Sequence, residues 1–156
     1  FSVGLAACAL GVARAAVDEL VRLAGAKTPF GMATTLAGRP TVQVAVCEAL
    51  AAVRSARALL VEEVARLWDV AQAGALADPQ QRGALRIAAT HAAAASAAAV
   101  DRMYTAAGGT AVYTSSPLQR CLRDVHAITQ HVFVAPPTYE TVGKVLLGVE
   151  PDGFML

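Results

Sequence analysis

An all-α fold, an up-down-up-down four-helix bundle with a short extra C-terminal helix, is what this sequence predicts. Three observations lead there. Hydrophobic residues make up 56% of the 156 residues, while aromatics supply only 5%. Alanine fills the gap, and alanine is the best helix former because it has no rotamer freedom to lose. Apolar residues recur at three- and four-residue steps, the period of a helix face and not of a strand. Finally, Pro and Gly fall between the periodic stretches, where they open or stop helices.

The first helix is predicted over about Val3–Ala24, with Val3, Ala6, Leu10, Ala13, Val17, Leu20 and Ala24 as its buried stripe. Gly25 and Pro29 end it, and a Gly-, Thr- and Pro-rich connection runs from Ala26 to Arg39. Pro40 opens a second helix that continues to about Ala73. Its stripe is Val42, Val46, Ala49, Val53, Ala56, Leu60, Val64, Leu67 and Ala71. Asp78 suits an N-cap, with Pro79 just inside the third helix. That helix reaches about Ala107 and is nearly polyalanine through its middle, so its neighbours can approach closely. Gly108-Gly109 stops it. Ser115 or Ser116 caps a fourth helix that extends to about Val132. Pro136-Pro137 break the chain, and a last short helix covers Thr138–Leu147 before Gly148. Short connections between long helices make neighbours antiparallel.

Composition also limits function. Only 16% of residues are charged, against roughly a quarter in ordinary soluble domains. So few charges imply that much of the surface is covered by other subunits or domains. The net charge is +1 with scattered basic residues, which argues against nucleic acid or an anionic membrane as partner. The apolar stretch from Phe1 to Ala13 lacks a basic leading region and meets Arg14 early, so it reads as a helix and not as a secretion signal. The Ala92–Val100 run is too weakly apolar to span a bilayer. Cys8, Cys47 and Cys121 are odd in number and far apart, which fits a reducing, cytoplasmic setting better than a disulfide framework. The leading Phe1 marks the chain as a fragment or a processed product.

No phosphate-binding loop, dinucleotide fingerprint or zinc-protease motif occurs, and the absence of Glu-x-x-His pairs argues against a di-iron bundle. The informative segment is Ala106–His131. There a helix stops at Gly108-Gly109, and a Ser-Pro start opens a helix bearing Arg120, Arg123, Asp124, His126 and His131. The glycines let backbone approach a flat ring or a phosphate, and the first turn of the next helix offers free N–H groups to an anion. Plainer readings stand beside these. The glycine pair can be a helix stop, Arg120, Arg123 and Asp124 an ion-pair network along the helix, and His131 a cap on helix carbonyls. His126 reads as structural or exposed, His91 as a packed interface residue, and Trp68 as a core or interface anchor.

The order Gly108-Gly109, Ser116-Pro117-Leu118-Gln119-Arg120 and Arg123-Asp124-Val125-His126 resembles the type-2 C-terminal domain of the acyl-CoA dehydrogenase superfamily. Leu10–Ala16 is similar to that domain's first helix, Arg39–Gln43 to the start of its second, and Gly143–Gly148 to its terminal helix. The resemblance covers nearly the whole chain, residues 1–156, and is closest to the two-component flavin-dependent monooxygenases that act on hydroxylated aromatics, sterol-derived phenols or dibenzothiophene. It implies FAD or FMN as cofactor, bound mainly by N-terminal helical and middle β domains that this chain lacks. It also implies a homo-oligomer, dimer or tetramer, built through the bundle, a small-molecule substrate, and a separate flavin reductase. Lys27-Thr28-Pro29-Phe30-Gly31 is similar to the family's Arg-x-x-Phe-Gly, which implies flavin contacts for Lys27 and Phe30. Lysine replaces arginine there and is a point charge without a bidentate fork. Gly108, Gly109, Arg120 and Arg123 are the remaining implied cofactor contacts.

The same resemblance separates two branches. Acyl-CoA dehydrogenases carry a catalytic Glu at one of two places, which fall here at Val132 and near Phe1. Removing the α-proton of a thioester needs a base within hydrogen-bond reach, and neither position is acidic. His131 instead matches the histidine near flavin and substrate in the monooxygenase branch, where it can deprotonate a phenol or protect the oxygenated flavin. The expected function is therefore a reduced-flavin-dependent hydroxylase with His131 as its catalytic residue. An acyl-CoA dehydrogenase and a non-catalytic assembly bundle are the alternatives.

Overall fold

Helix boundaries in the computed structural model, which describes residues 1–150, fall where Pro, Gly and one capping box put them. The helices are α1 (Ser2–Ala26), α2 (Pro40–Gln72), α3 (Pro79–Ala107), α4 (Pro117–Thr129) and α5 (Pro137–Leu146), with no strand among the described residues. Single 3-10 turns at Leu36–Gly38 and Gly108–Val112 lead into α2 and out of α3. Proline opens α2, α3, α4 and α5, because the first helical N–H has no intrahelical partner to lose. At α3 the Asp78 carboxylate accepts from the Gln81 N–H at 2.8 Å, and the Gln81 amide oxygen accepts from the Asp78 N–H at 2.9 Å. This reciprocal pair satisfies two donors that would otherwise be orphaned.

α3 is the axis of the molecule and packs against all four other helices. Its heaviest contacts are with α2 and α1, whereas α1 and α2 touch each other much less. The bundle is therefore a flattened diamond in which α1 and α3, parallel to each other, meet across the short diagonal. Alanine makes this possible. Ala6, Ala9, Ala13 and Ala16 of α1 and Ala88, Ala89, Ala92, Ala93 and Ala99 of α3 are fully buried. Larger side chains fill the flanks: Leu20, Val17, Met103, Val100, Leu118 and Val125 are inaccessible to solvent or nearly so. Short loops keep α2 and α4 antiparallel to α3, as Arg102–Glu48 at 3.3 Å and His126–Asp101 at 2.8 Å record. α5 closes on the N-terminal half of α3. There Gly83 lets Val142 approach, since a Cβ on Gly83 would lie 2.9 Å from Val142 Cγ1.

Three features differ from the sequence-based expectation. The stripe of α2 is buried only through Leu60, while Val64 and Ala71 are exposed and Glu63 is buried in their place. Val64 lies level with Val3 of α1, and the turns of α2 that follow it are exposed apart from half-buried Leu67 and Val70. Trp68 sits on that stretch, 64% exposed, and is not a core residue. α4 stops at Thr129 and not at Val132, as Thr129 Oγ1 donates to the His126 carbonyl and the chain tightens through His131 N–H to Ile128 O. Arg120 and Asp124 form no ion pair among the described residues, although their spacing allows one. His91 is half-buried on α3, and His126 is exposed and held by Asp101.

Two measurements check this packing. Ala for Gly in a helix interior usually stabilises by about 1 kcal/mol, but Gly83→Ala is expected to destabilise the chain by about 1–2 kcal/mol in urea, because the stiff Val142 cannot withdraw. Adding Val142→Ala should recover most of that loss. Cys8 and Cys47 are exposed, whereas Cys121 is buried and burial pushes its thiol up. Alkylation at pH 8 should therefore label Cys8 and Cys47 quickly and Cys121 only on unfolding.

Candidate functional site

The fold sorts the candidate residues into two groups. The first gathers where α1 and α3 end and α2 and α4 begin. Lys27 caps α1 in an extended conformation, and its Nζ donates to the Ala107 carbonyl at 2.7 Å, the last residue of α3. An ammonium at a helix C-terminus satisfies an orphan carbonyl and meets the negative end of the dipole. Lys27 thus ties the loop after α1 to the glycine turn after α3. The loop closes on itself through Leu36 N–H to Lys27 O at 2.9 Å, and at its tip Phe30 is fully exposed.

Gly108 follows directly, with φ 62° and ψ −150°, a region that is nearly glycine-only. A Cβ on Gly108 or Gly109 would meet no heavy atom within 4 Å, so the turn presents bare backbone to open space. α2 and α4 begin close by, and neither Arg39 nor Ser116 caps its helix with a side-chain hydrogen bond. Pro40 and Pro117 bring no N–H to these first turns, and Val42, Gln43 and Gln119 already donate to the Arg39 and Ser116 carbonyls, so Thr41 N–H is the exposed donor left at the start of α2. A cleft of about 460 Å³ runs between the start of α2 and the end of α3, lined by Arg39, Thr41, Glu48, Arg102 and Thr105 among others. Arg39 and Arg102 were not singled out from sequence. Their signal was weak, one arginine beside Pro40 and one near the end of a polyalanine helix. Arg120 stands exposed in the first turns of α4, and Arg123 is exposed one turn on.

The second group surrounds His131, which lies in the turn after α4 and is exposed. Its Nδ1 accepts from the Phe133 main-chain N–H at 3.3 Å, so the neutral ring carries its proton on Nε2. The Phe133 ring lies 5.5 Å from the imidazole at 27° and 5.9 Å from Phe1 at 12°. Arg86 of α3 places its guanidinium carbon 5.3 Å from the Phe133 centroid. Val132, at one of the two places where a dehydrogenase's Glu would fall, is a half-exposed apolar side chain beside this group.

The groups do not meet. The part of α3 between Arg86 and Ala107 is about 30 Å of helix, so His131 lies roughly 20 Å or more from Lys27 along the bundle. A single flavin ring cannot touch both within one chain. No cluster of three or more metal-ligating side chains occurs among the described residues, and no described helix is long and apolar enough to cross a membrane.

Comparison with known proteins agrees with this architecture. Residues 3–136 match the family model described as acyl-CoA dehydrogenase, C-terminal domain. The chain is 39% identical over 147 residues to the indole-3-acetate monooxygenase of Pseudomonas putida, which covers 94% of the chain and 38% of that protein. It is 30% identical over 158 residues to the FADH(2)-dependent resorcinol hydroxylase, oxygenase component, of a Rhizobium species, covering 96% of the chain and 39% of the relative. The HsaA monooxygenase of M. tuberculosis superimposes with a TM-score of 0.86 at 26% identity, covering 99% of the chain and 39% of that structure. The chain thus spans about two fifths of the length of the proteins it matches. Its all-helical architecture, its glycine turn and its helix order place it in one lineage: the chain belongs to the acyl-CoA dehydrogenase C-terminal domain family.

Proposed function

We propose that this chain is the C-terminal bundle of a reduced-flavin-dependent monooxygenase that hydroxylates an aromatic or similar small substrate. The observation that carries the reading is the His131 end of the bundle, where an exposed imidazole stands beside Val132, an apolar side chain at the place where the family resemblance expects a dehydrogenase's Glu. The named activities of the relatives, an indole-3-acetate monooxygenase and a resorcinol hydroxylase, support it. With Nδ1 engaged by Phe133, the neutral ring offers Nε2–H as a donor to an oxygen atom of substrate or cofactor.

The residues at the other end fit a flavin nucleotide, FAD or FMN. Bare glycine backbone at Gly108-Gly109 and the arginines Arg39 and Arg120, which form no ion pair among the described residues, suit a phosphate-bearing, flat-ringed ligand. Bound flavin supplies the electrons for the reaction with dioxygen. Lys27 acts by holding the Ala107–Gly108 turn in place, and Phe30 offers an exposed ring for stacking. Arg123 adds positive charge along α4. The two groups lie too far apart for one flavin ring to touch both, which suits a working enzyme that holds more than one copy of the bundle. Exposed Val21, Val44, Val61, Val64 and Trp68 on α1 and α2 are suited to that contact between copies. The reduced flavin comes from a separate reductase, and the unpaired cysteines suit a cytoplasmic setting.

Light scattering of the purified chain should give a dimer or tetramer, and a monomer indifferent to excess flavin would sink the assembly reading. In the full-length enzyme, His131→Ala should lower hydroxylation by about 10²–10³-fold, the loss of one placed hydrogen-bond donor, and an acyl-CoA should leave the flavin unbleached. Rapid bleaching would make the enzyme a dehydrogenase. Unchanged turnover in His131→Ala would make the bundle an assembly module.

A further inference from the structure

Arg86 is the only lysine or arginine that the fold buries among the described residues. No carboxylate pairs with it among those residues. Its Nη2 donates to Thr138 Oγ1 of α5 at 3.3 Å, and its Nε has no partner. Burial pushes the guanidinium below its usual range. Taking an unpaired cation out of water is unfavourable, and Met or Leu would fill the same space without that penalty. Packing between α3 and α5 therefore does not account for an arginine here.

What the guanidinium does contact is the Phe133 ring, at 5.3 Å. A planar guanidinium over an aromatic face attracts the ring quadrupole, the more strongly where water is excluded. Phe133 belongs to the segment between α4 and α5, where Val134 is the apolar anchor buried in the core. Phe1, itself almost fully exposed, stacks on the ring of its neighbour, which leaves Arg86 as the contact that reaches that ring from within the fold. Phe133 in turn holds His131 twice, by ring contact at 5.5 Å and by its N–H on Nδ1 at 3.3 Å.

We propose that Arg86 is a positioning residue for His131: it pins the Phe133 ring, and Phe133 sets the orientation of the imidazole. Arg86 need not touch substrate or flavin. It acts through Phe133, from its place on α3, to hold the imidazole orientation in which Nδ1 accepts from the Phe133 N–H. The functional weight of this arrangement rests on the reading of His131 given above, but its geometry does not, and the two are tested separately.

The test is NMR of the chain with isotopically labelled histidine, His131 being assigned by His131→Gln. In the wild type the His131 ring protons should carry a ring-current shift from Phe133. Phe133→Leu should abolish it. Arg86→Met should remove most of it while helix content and melting temperature hold or rise, and Arg86→Lys, which keeps a cation over the ring, should recover part or all. Thr138→Val, which removes only the α5 contact, should keep the shift. Wild-type His131 signals in Arg86→Met would overturn the inference, as would equal losses in Arg86→Met and Thr138→Val. If Arg86→Met does not fold, Arg86→Lys decides: signals identical to Phe133→Leu overturn the inference, and signals nearer wild type uphold it. In the full-length enzyme Arg86→Met should lower kcat about tenfold to a hundredfold with KM little changed, the cost of a misplaced group. If His131→Ala proves silent there, the proposed function fails while the NMR result on Arg86 stands.

Discussion

Everything else in this bundle depends on how closely α1 and α3 approach. In a square four-helix bundle the diagonal pair is separated by core side chains. Here alanines at Ala6, Ala9, Ala13 and Ala16 meet alanines of α3, and the diagonal becomes a contact. That contact spreads α2 and α4 to opposite flanks, which leaves an apolar groove of about 580 Å³ between the N-terminal half of α1 and the later turns of α2. It also brings the ends of α1 and α3 within reach of one lysine side chain. The glycine turn, the loop bearing Phe30 and the open starts of α2 and α4 then share one end of the molecule.

The placement of the site follows from the same geometry. Parallel α1 and α3 put the Lys27 and Gly108 segments together, while α4, antiparallel and only 13 residues long, delivers His131 partway back along α3. A short fourth helix is what leaves His131 in a turn, where backbone N–H groups such as that of Phe133 are free to engage a ring nitrogen. Had α4 run three residues further, as the apolar spacing allowed, the Phe133 N–H would have turned inward to a helix carbonyl.

Legibility in the sequence tracked the kind of interaction involved. Pro79, Asp78 and Gly108 are local signals, and the limits of α3 were read correctly from them. Periodicity is a poorer guide on α2, because Val64 and Ala71 keep the apolar spacing and yet are exposed: a helical step names a face and not what covers it. The candidate site was half legible. Gly108, Lys27 and His131 stood out by type and order, but not the separation between them, which is a property of the packed bundle. Arg86 escaped notice although a signal was present: it falls on the same face as Gly83, Thr90 and Ala93, a charge at a step that should be apolar. Arg120 and Asp124 show the reverse, correct spacing without the pairing it permits, since exposed ion pairs gain little.

A core built on alanine has an uncommon response to mutation. Leucine cores fail by truncation, which opens cavities. On the α1–α3 diagonal little remains to truncate, and the only smaller residue, glycine, acts on backbone freedom more than on packing. Enlargement is the dangerous direction there, because a single added methylene must push two helix backbones apart and not merely displace a neighbouring rotamer. Drift in this sequence is therefore confined to one side: the diagonal holds residues of alanine's size or smaller and resists larger ones. Variation that alters the bundle's partners has to be written on the outer faces of α1 and α2, while the spacing between its two functional ends stays fixed.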